Sequence, residues 1–94
     1  MAGTYQITSD GVLGPSGKAV RVWTIIVMSD STAASVNVYD GTTASGTKYD
    51  QIDGTINKAV IRDYGNRGLV FPDGCFIDLD AHTTFVTGTL DVIG

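Results

Sequence analysis

The acidic residues of this chain are all aspartates, and four of the ten stand directly before a glycine. These pairs are Asp10-Gly11, Asp40-Gly41, Asp53-Gly54 and Asp73-Gly74. Asp-Gly is a turn dipeptide, because glycine adopts positive φ without a steric penalty and the aspartate side chain bonds nearby backbone groups. Glutamate, which is common on helix surfaces, is absent. The pattern therefore predicts short strands joined by tight turns.

Residue composition favours the same class of fold. Val, Ile and Thr number ten, eight and twelve, against four Leu, and β-branched residues suit a pleated, half-buried surface. A chain of 94 residues is expected to form one domain, residues 1–94, that buries only a little over about 60% of its unfolded surface. We expect an all-β fold, a compact antiparallel β-sandwich or barrel of jelly-roll type with about seven to eight short strands.

The strongest predicted strand covers residues 18–29. Strict alternation places Val20, Val22, Thr24, Ile26 and Met28 on one face and Arg21, Trp23, Ile25 and Val27 on the other. Both faces are apolar at the centre of the strand. Such a strand is either covered on both sides or has one face at an interface.

Three weaker patterns complete the fold prediction. Residues 83–93 alternate so that Val86, Gly88, Leu90 and Val92 share one face of a last strand. Residues 11–17, rich in Gly and Pro, are predicted to be a loop. Tyr39 and Tyr49 flank a small-residue loop and could pack against each other with no further role.

The charge pattern excludes several partners. The net charge is −4 with only six basic residues and no basic run, so a nucleic-acid partner is not expected. The longest apolar run is the four residues Ile25-Ile26-Val27-Met28, far short of the roughly 20 that span a bilayer, so no membrane partner is expected. The single cysteine, Cys75, forms no intrachain disulfide, and the first residues lack a leader pattern, so synthesis in the cytoplasm is expected.

No constellation of residues predicts catalysis. Asp78, Asp80 and His82 alternate and could line one strand face as cation ligands, but a solvated strand face is the favoured interpretation. Cys75 and His82 carry no local nucleophile signature and are read as a buried thiol and an exposed turn histidine. We therefore expect no catalytic residue, no metal, no cofactor and no enzyme activity.

Four residues are the candidates for partner binding. Trp, Tyr and Arg dominate the energetics of protein interfaces. Arg21 and Trp23 share a face of the long strand, and Tyr64 and Arg67 lie in the most turn-rich segment. The alternative for Trp23 is a place in the core.

One segment resembles a known group of proteins. Residues 36–48, Val-Asn-Val-Tyr-Asp-Gly-Thr-Thr-Ala-Ser-Gly-Thr-Lys, followed by Ile52-Asp53, are similar to a stretch of small virion structural proteins of tailed bacteriophages. The similarity extends in weaker form to residues 17–29, residues 68–79 and the last strand. The resemblance brings no catalytic motif and no site residues.

The resemblance implies a capsid decoration or cement protein in the virion, which binds major capsid protein subunits and stabilises the head. It also favours a homo-oligomer, with a trimer as the expected form. Two alternatives stay open: a tail, neck or fibre-associated virion protein, and a small glycan-binding β module.

Overall fold

The computed structural model describes residues 3–93, in which nine strands follow one another without a helix. Their bounds are β1 (Gly3–Ile7), β2 (Gly11–Leu13), β3 (Val20–Ser29), β4 (Ser35–Asp40), β5 (Thr47–Asp53), β6 (Ala59–Asp63), β7 (Leu69–Phe71), β8 (Cys75–Asp78) and β9 (Thr83–Val92). The Asp-Gly pairs lie where strands end, as predicted: one between β1 and β2, one after β4, one after β5 and one between β7 and β8.

The strands form two antiparallel sheets. Sheet A has the order β1-β9-β3-β6, and the short β7 pairs with the first residues of β3 beside β6. Sheet B has the order β2-β8-β4-β5. Chain neighbours β1 and β2, β3 and β4, β5 and β6, and β8 and β9 are thus divided between the sheets, which is the winding of a jelly roll. The predicted all-β sandwich is confirmed.

The core lies between the two sheets and takes one side chain from every second position of the long strands. Sheet A supplies β-branched and aromatic residues of β3, β7 and β9, and sheet B supplies those of β4, β5 and β8. The largest fully buried side chains are Leu13, Val20, Val22, Ile25, Val27, Val36, Val38, Ile52, Phe71, Ile77, Val86 and Leu90. In β9 the buried face is Val86, Gly88 and Leu90, as the alternation predicted, although Val92 at its end is exposed.

A β-bulge at Trp23 corrects the predicted faces of β3. Val22 pairs with Leu90 and Thr24 with Thr89, so Trp23 is an extra residue with no partner of its own on β9. Val20 and Val22 face the core before the bulge, and Ile25 and Val27 face it afterwards. The prediction that Ile26 and Met28 share a face with Val20 was therefore wrong, because one inserted residue reverses every later side chain.

Two smaller predictions also need correction. Residues 11–13 form β2, paired with β8, although the whole of residues 11–17 was predicted to be a loop. The rings of Tyr39 and Tyr49 do not pack together. Tyr39 lies 6.3 Å from Phe76 on the outer face of sheet B, and Tyr49 lies 5.1 Å from the buried Phe71 between ring centroids.

Candidate interaction surface

The outer face of sheet A carries a group of apolar side chains that no other part of residues 3–93 covers. Met28 lies opposite both Ala59 and Phe85, and Ile26 lies opposite Ile61. Ile61 is 64% exposed, the largest exposed fraction among the large hydrophobic residues. We call Ile26, Met28, Ala59, Ile61 and Phe85 the apolar patch. Within residues 3–93, β3 is therefore covered by a second layer on one side only.

Uncharged polar residues continue the outer face of sheet A beyond the apolar patch. Thr24 pairs with Thr89, and Thr87 is the neighbour of Ile26 on β9. Gln6 on β1 donates from Nε2 to Thr87 Oγ1 at 3.2 Å. The apolar patch is therefore neutral and inexpensive to remove from water, although Asp63 lies opposite Thr24 at the end of β6.

The outer face of sheet B is different, because polar side chains bond one another across it. Lys48 Nζ donates to Gln51 Oε1 at 2.8 Å, and Gln51 Nε2 donates to Asp53 Oδ1 at 3.2 Å. Ser35 Oγ donates to the same Asp53 oxygen at 3.1 Å. At one end of this face Val12, Phe76 and Tyr39 form a half-buried apolar row. Ile26, Met28 and Phe85 of the apolar patch are half-buried too, and the patch differs by its exposed members Ala59 and Ile61. The two broad faces of the sandwich are chemically unequal.

Arg21 and Trp23 meet the β6–β7 loop at one end of sheet A. The indole Nε1 of Trp23 donates to the carbonyl oxygen of Asn66 at 3.2 Å. Gly68 has φ +67°, and a Cβ there would lie 2.8 Å from both Arg21 Cγ and the carbonyl oxygen of Val22. Glycine is therefore required at position 68 for the loop to lie against Arg21. Trp23 is half-buried, so it is neither a fully buried core residue nor a fully exposed one.

The other two predicted binding residues, Tyr64 and Arg67, lie between β6 and β7, but their side chains have different surroundings. Arg67 is exposed. Tyr64 packs against the core, and its hydroxyl donates to Asp50 Oδ2 at 2.8 Å. Burial, and then this hydrogen bond, raise the pKa of Tyr64 above its usual range, so the hydroxyl keeps its proton and stays a donor.

Asp50 and Arg62 join the two sheets at the edge where β5 and β6 lie, a feature that sequence reasoning missed. Arg62 lies opposite the buried Ile25 and so faces inward from β6. Its Nε is 3.0 Å from Asp50 Oδ2, an ion-pair contact that lacks hydrogen-bond geometry, and its Nη2 donates to the Gln51 carbonyl at 3.1 Å. The only sequence signal for this contact was the alternation along β6. It puts Arg62 on the same side of the strand as Val60, facing inward.

Asp78, Asp80 and His82 do not assemble a ligand set. Within residues 3–93 no three His, Cys, Asp or Glu side chains are grouped so that they could hold a metal ion. The Asp80 carboxylate accepts bonds from the backbone N–H groups of Ser35 and His82 and from the Thr83 hydroxyl. Burial opposes ionisation there, but these bonds outweigh it and hold the pKa of Asp80 below its usual range. Asp80 therefore stabilises the turn at residues 80–83 and does not serve as a metal ligand in this arrangement.

Cys75 begins β8 in the core, whereas His82 lies on the exposed turn beyond the other end of β8. Burial, with a smaller contribution from Asp40, raises the pKa of the Cys75 thiol to about 12. The neutral thiol is a poor nucleophile. No ligand-sized pocket is found in the part of the chain described.

Comparison with known proteins found no match to any protein-family model, to any curated protein or to any solved structure. No helix long and apolar enough to cross a membrane is found in residues 3–93.

Proposed function

We propose that this protein is a structural component of a tailed-bacteriophage virion, without catalytic activity, and most specifically a capsid decoration or cement protein. In this proposal the outer face of sheet A binds major capsid protein subunits. The observation that carries it is the apolar patch, an uncovered apolar surface on one face of a sandwich whose other face is satisfied by its own hydrogen bonds.

The dimensions of the molecule are consistent with a specific interface. The chain measures 38 × 28 × 18 Å, so a broad face offers about 1,000 Å², against roughly 800 Å² per partner in a standard complex. Jelly rolls also serve as viral capsid domains, although the fold alone assigns no function. The similarity of residues 36–53 to phage virion proteins directs the proposal to this class.

Arg21, Trp23 and Arg67 belong to the proposed interface as its polar end. Trp23 bonds the β6–β7 loop, which also lies close to Arg21, and Arg67 stands exposed on that loop. Arg and Trp are enriched in protein interfaces. Tyr64 takes part through the shape of the loop, because its side chain faces Asp50. The bound form is proposed to be a homo-oligomer.

The test is rebinding of purified protein to heads stripped of it, measured by co-sedimentation. Ile61→Asp should abolish binding, because it places a charge on the most exposed member of the apolar patch. Gln51→Asp is the control: it makes the same charge change, also on an exposed outward position of an edge strand, but on sheet B. Because it also removes the bond that Gln51 donates to Asp53, circular dichroism must first show that it folds. Gln51→Asp should bind as the unaltered protein does.

Two results would overturn the proposal. If the unaltered protein binds isolated tails and not heads, the tail or neck alternative replaces decoration. If Ile61→Asp and Gln51→Asp bind heads equally well, the outer face of sheet A is not the interface. A change of Trp23 fluorescence on titration with sugars, in the absence of head binding, would support the glycan-binding alternative.

A further inference from the structure

The lateral edges of the two sheets differ in their protection against pairing with other strands. An edge strand presents unpaired backbone N–H and C=O groups, and proteins protect such edges with charges, bulges, inward-facing charged residues or very short strands. The edges here are β1 on one side of sheet A, β6 and β7 on its other side, and β2 and β5 at the two sides of sheet B.

Every edge except β1 carries such a device. β5 has a bulge at Tyr49, between the pairs Val38–Asp50 and Tyr39–Lys48, and it bears charges at Lys48, Asp50 and Asp53. β6 carries the inward-facing Arg62, next to Asp63. β2 and β7 are three residues long.

β1 has none of these features. Its sequence Gly-Thr-Tyr-Gln-Ile contains no charge and no proline. Its register with β9 runs unbroken from Gly3–Leu90 to Ile7–Val86. Thr4, Tyr5 and Gln6 are exposed, and no strand within residues 3–93 pairs with the free side of β1.

We propose that β1 pairs antiparallel with β1 of a second copy of this chain, across a twofold axis, so that the two A sheets become one continuous sheet. A twofold contact requires a segment that is compatible with itself. β1 meets this condition because it opposes only uncharged residues. In a chain of net charge −4, self-pairing of β5 would bring Asp50 and Asp53 near their copies, and like charges in facing positions destabilise a strand pair.

The geometry of this pairing has a consequence for the outer face of sheet A. Antiparallel strands in one continuous sheet are related by a twofold axis perpendicular to the sheet. Such an axis leaves both outer faces on the same side, so the two apolar patches point in one direction. A dimer of this kind could occupy two neighbouring binding positions at once and gain avidity.

The test is the mass of the full chain by sedimentation velocity, from low micromolar to the highest soluble concentration, because a contact between two short strands is small and is expected to be weak. The unaltered protein should show a concentration-dependent dimer. Thr4→Lys/Gln6→Lys places positive charges on two exposed positions of β1 and should be monomeric throughout. Ala59→Lys/Ile61→Lys, the matched pair on exposed positions of β6, should dimerise as the unaltered protein does.

Hydrogen exchange adds a readout that does not depend on mass. The amides of residues 3–7 should exchange more slowly at concentrations at which the dimer forms, and the same amides of Thr4→Lys/Gln6→Lys should show no such change. A monomer at every concentration overturns the inference, as does a trimer, which a twofold pair alone does not build. Loss of association in the β6 variant with retention in the β1 variant overturns it in favour of packing through the apolar patch.

These outcomes are separate from those of the proposed function. Ile61→Asp should still dimerise while losing head binding, and Thr4→Lys/Gln6→Lys should still bind heads, with reduced avidity.

Discussion

Because of the bulge at Trp23, alanine substitution of the adjacent Ile25 and Ile26 should lower the free energy of unfolding by very different amounts. Ile25 is fully buried between the sheets, and Ile26 is part of the apolar patch on the outer face. Truncating a buried isoleucine to alanine costs about 2–5 kcal/mol of unfolding free energy, through lost burial and the cavity that remains. Ile26→Ala leaves no enclosed cavity, and we expect a cost below about 1 kcal/mol.

The measurement is thermal denaturation and urea denaturation of Ile25→Ala and Ile26→Ala, both followed by circular dichroism. For a domain of 94 residues, each kcal/mol lowers Tm by about 4–8 °C. Ile25→Ala should therefore lower Tm by at least about 8 °C and Ile26→Ala by less than that. The m-values should stay equal to that of the unaltered protein, so that the midpoints report stability alone.

Unbroken alternation along β3 predicts the reverse order, with Ile26 on the same face as Val20 and Val22. Equal costs, or a larger cost for Ile26→Ala, would refute the bulge and with it the position of the apolar patch. Val27→Ala and Met28→Ala repeat the comparison two residues further along the strand, because Val27 is fully buried and Met28 faces outward.

Three further predictions concern the support of the sandwich. A Cβ at position 54 would overlap Ser29 Oγ, so Gly54→Ala should cost about 1–3 kcal/mol in denaturant unfolding; an unchanged free energy of unfolding would contradict this close approach. Tyr64→Phe removes the bond to Asp50 and should lower the unfolding free energy by about 0.5–1.5 kcal/mol; no change would mean that this bond contributes nothing. Because the pKa of Cys75 is raised to about 12 and the side chain is buried, the thiol should react with a chromogenic disulfide at pH 8 only as fast as the protein unfolds, and rapid reaction of the folded protein would contradict its burial.

Most of the fold could be predicted from the turn dipeptides and from the residue composition of the strands. The Asp-Gly pairs mark strand boundaries because glycine tolerates the backbone conformation there, and the alternation of β9 identified its buried face correctly. The three residues of β2 could not be recognised, because their pairing with β8 depends on residues more than sixty positions away.

The faces of β3 were unpredictable after position 23 for a physical reason. Ile25 and Val27 are as apolar as Ile26 and Met28, so hydrophobicity satisfies either register, and only the pairing of Thr24 with Thr89 decides between them. The two-sided apolar character of the strand left coverage on both sides and an interface as alternatives, and within residues 3–93 its outer face has no second layer over it. Arg62 was overlooked because an arginine on an edge strand is expected to point to solvent.

The unequal faces of the sandwich give the molecule an orientation. If the outer face of sheet A is covered, the surface that remains in contact with water is the polar network around Asp53 together with Asp78. Every copy that docks in this way would add negative charge to the outside of the particle. Assembled particles would then repel one another electrostatically, and their tendency to clump should rise when salt screens that repulsion.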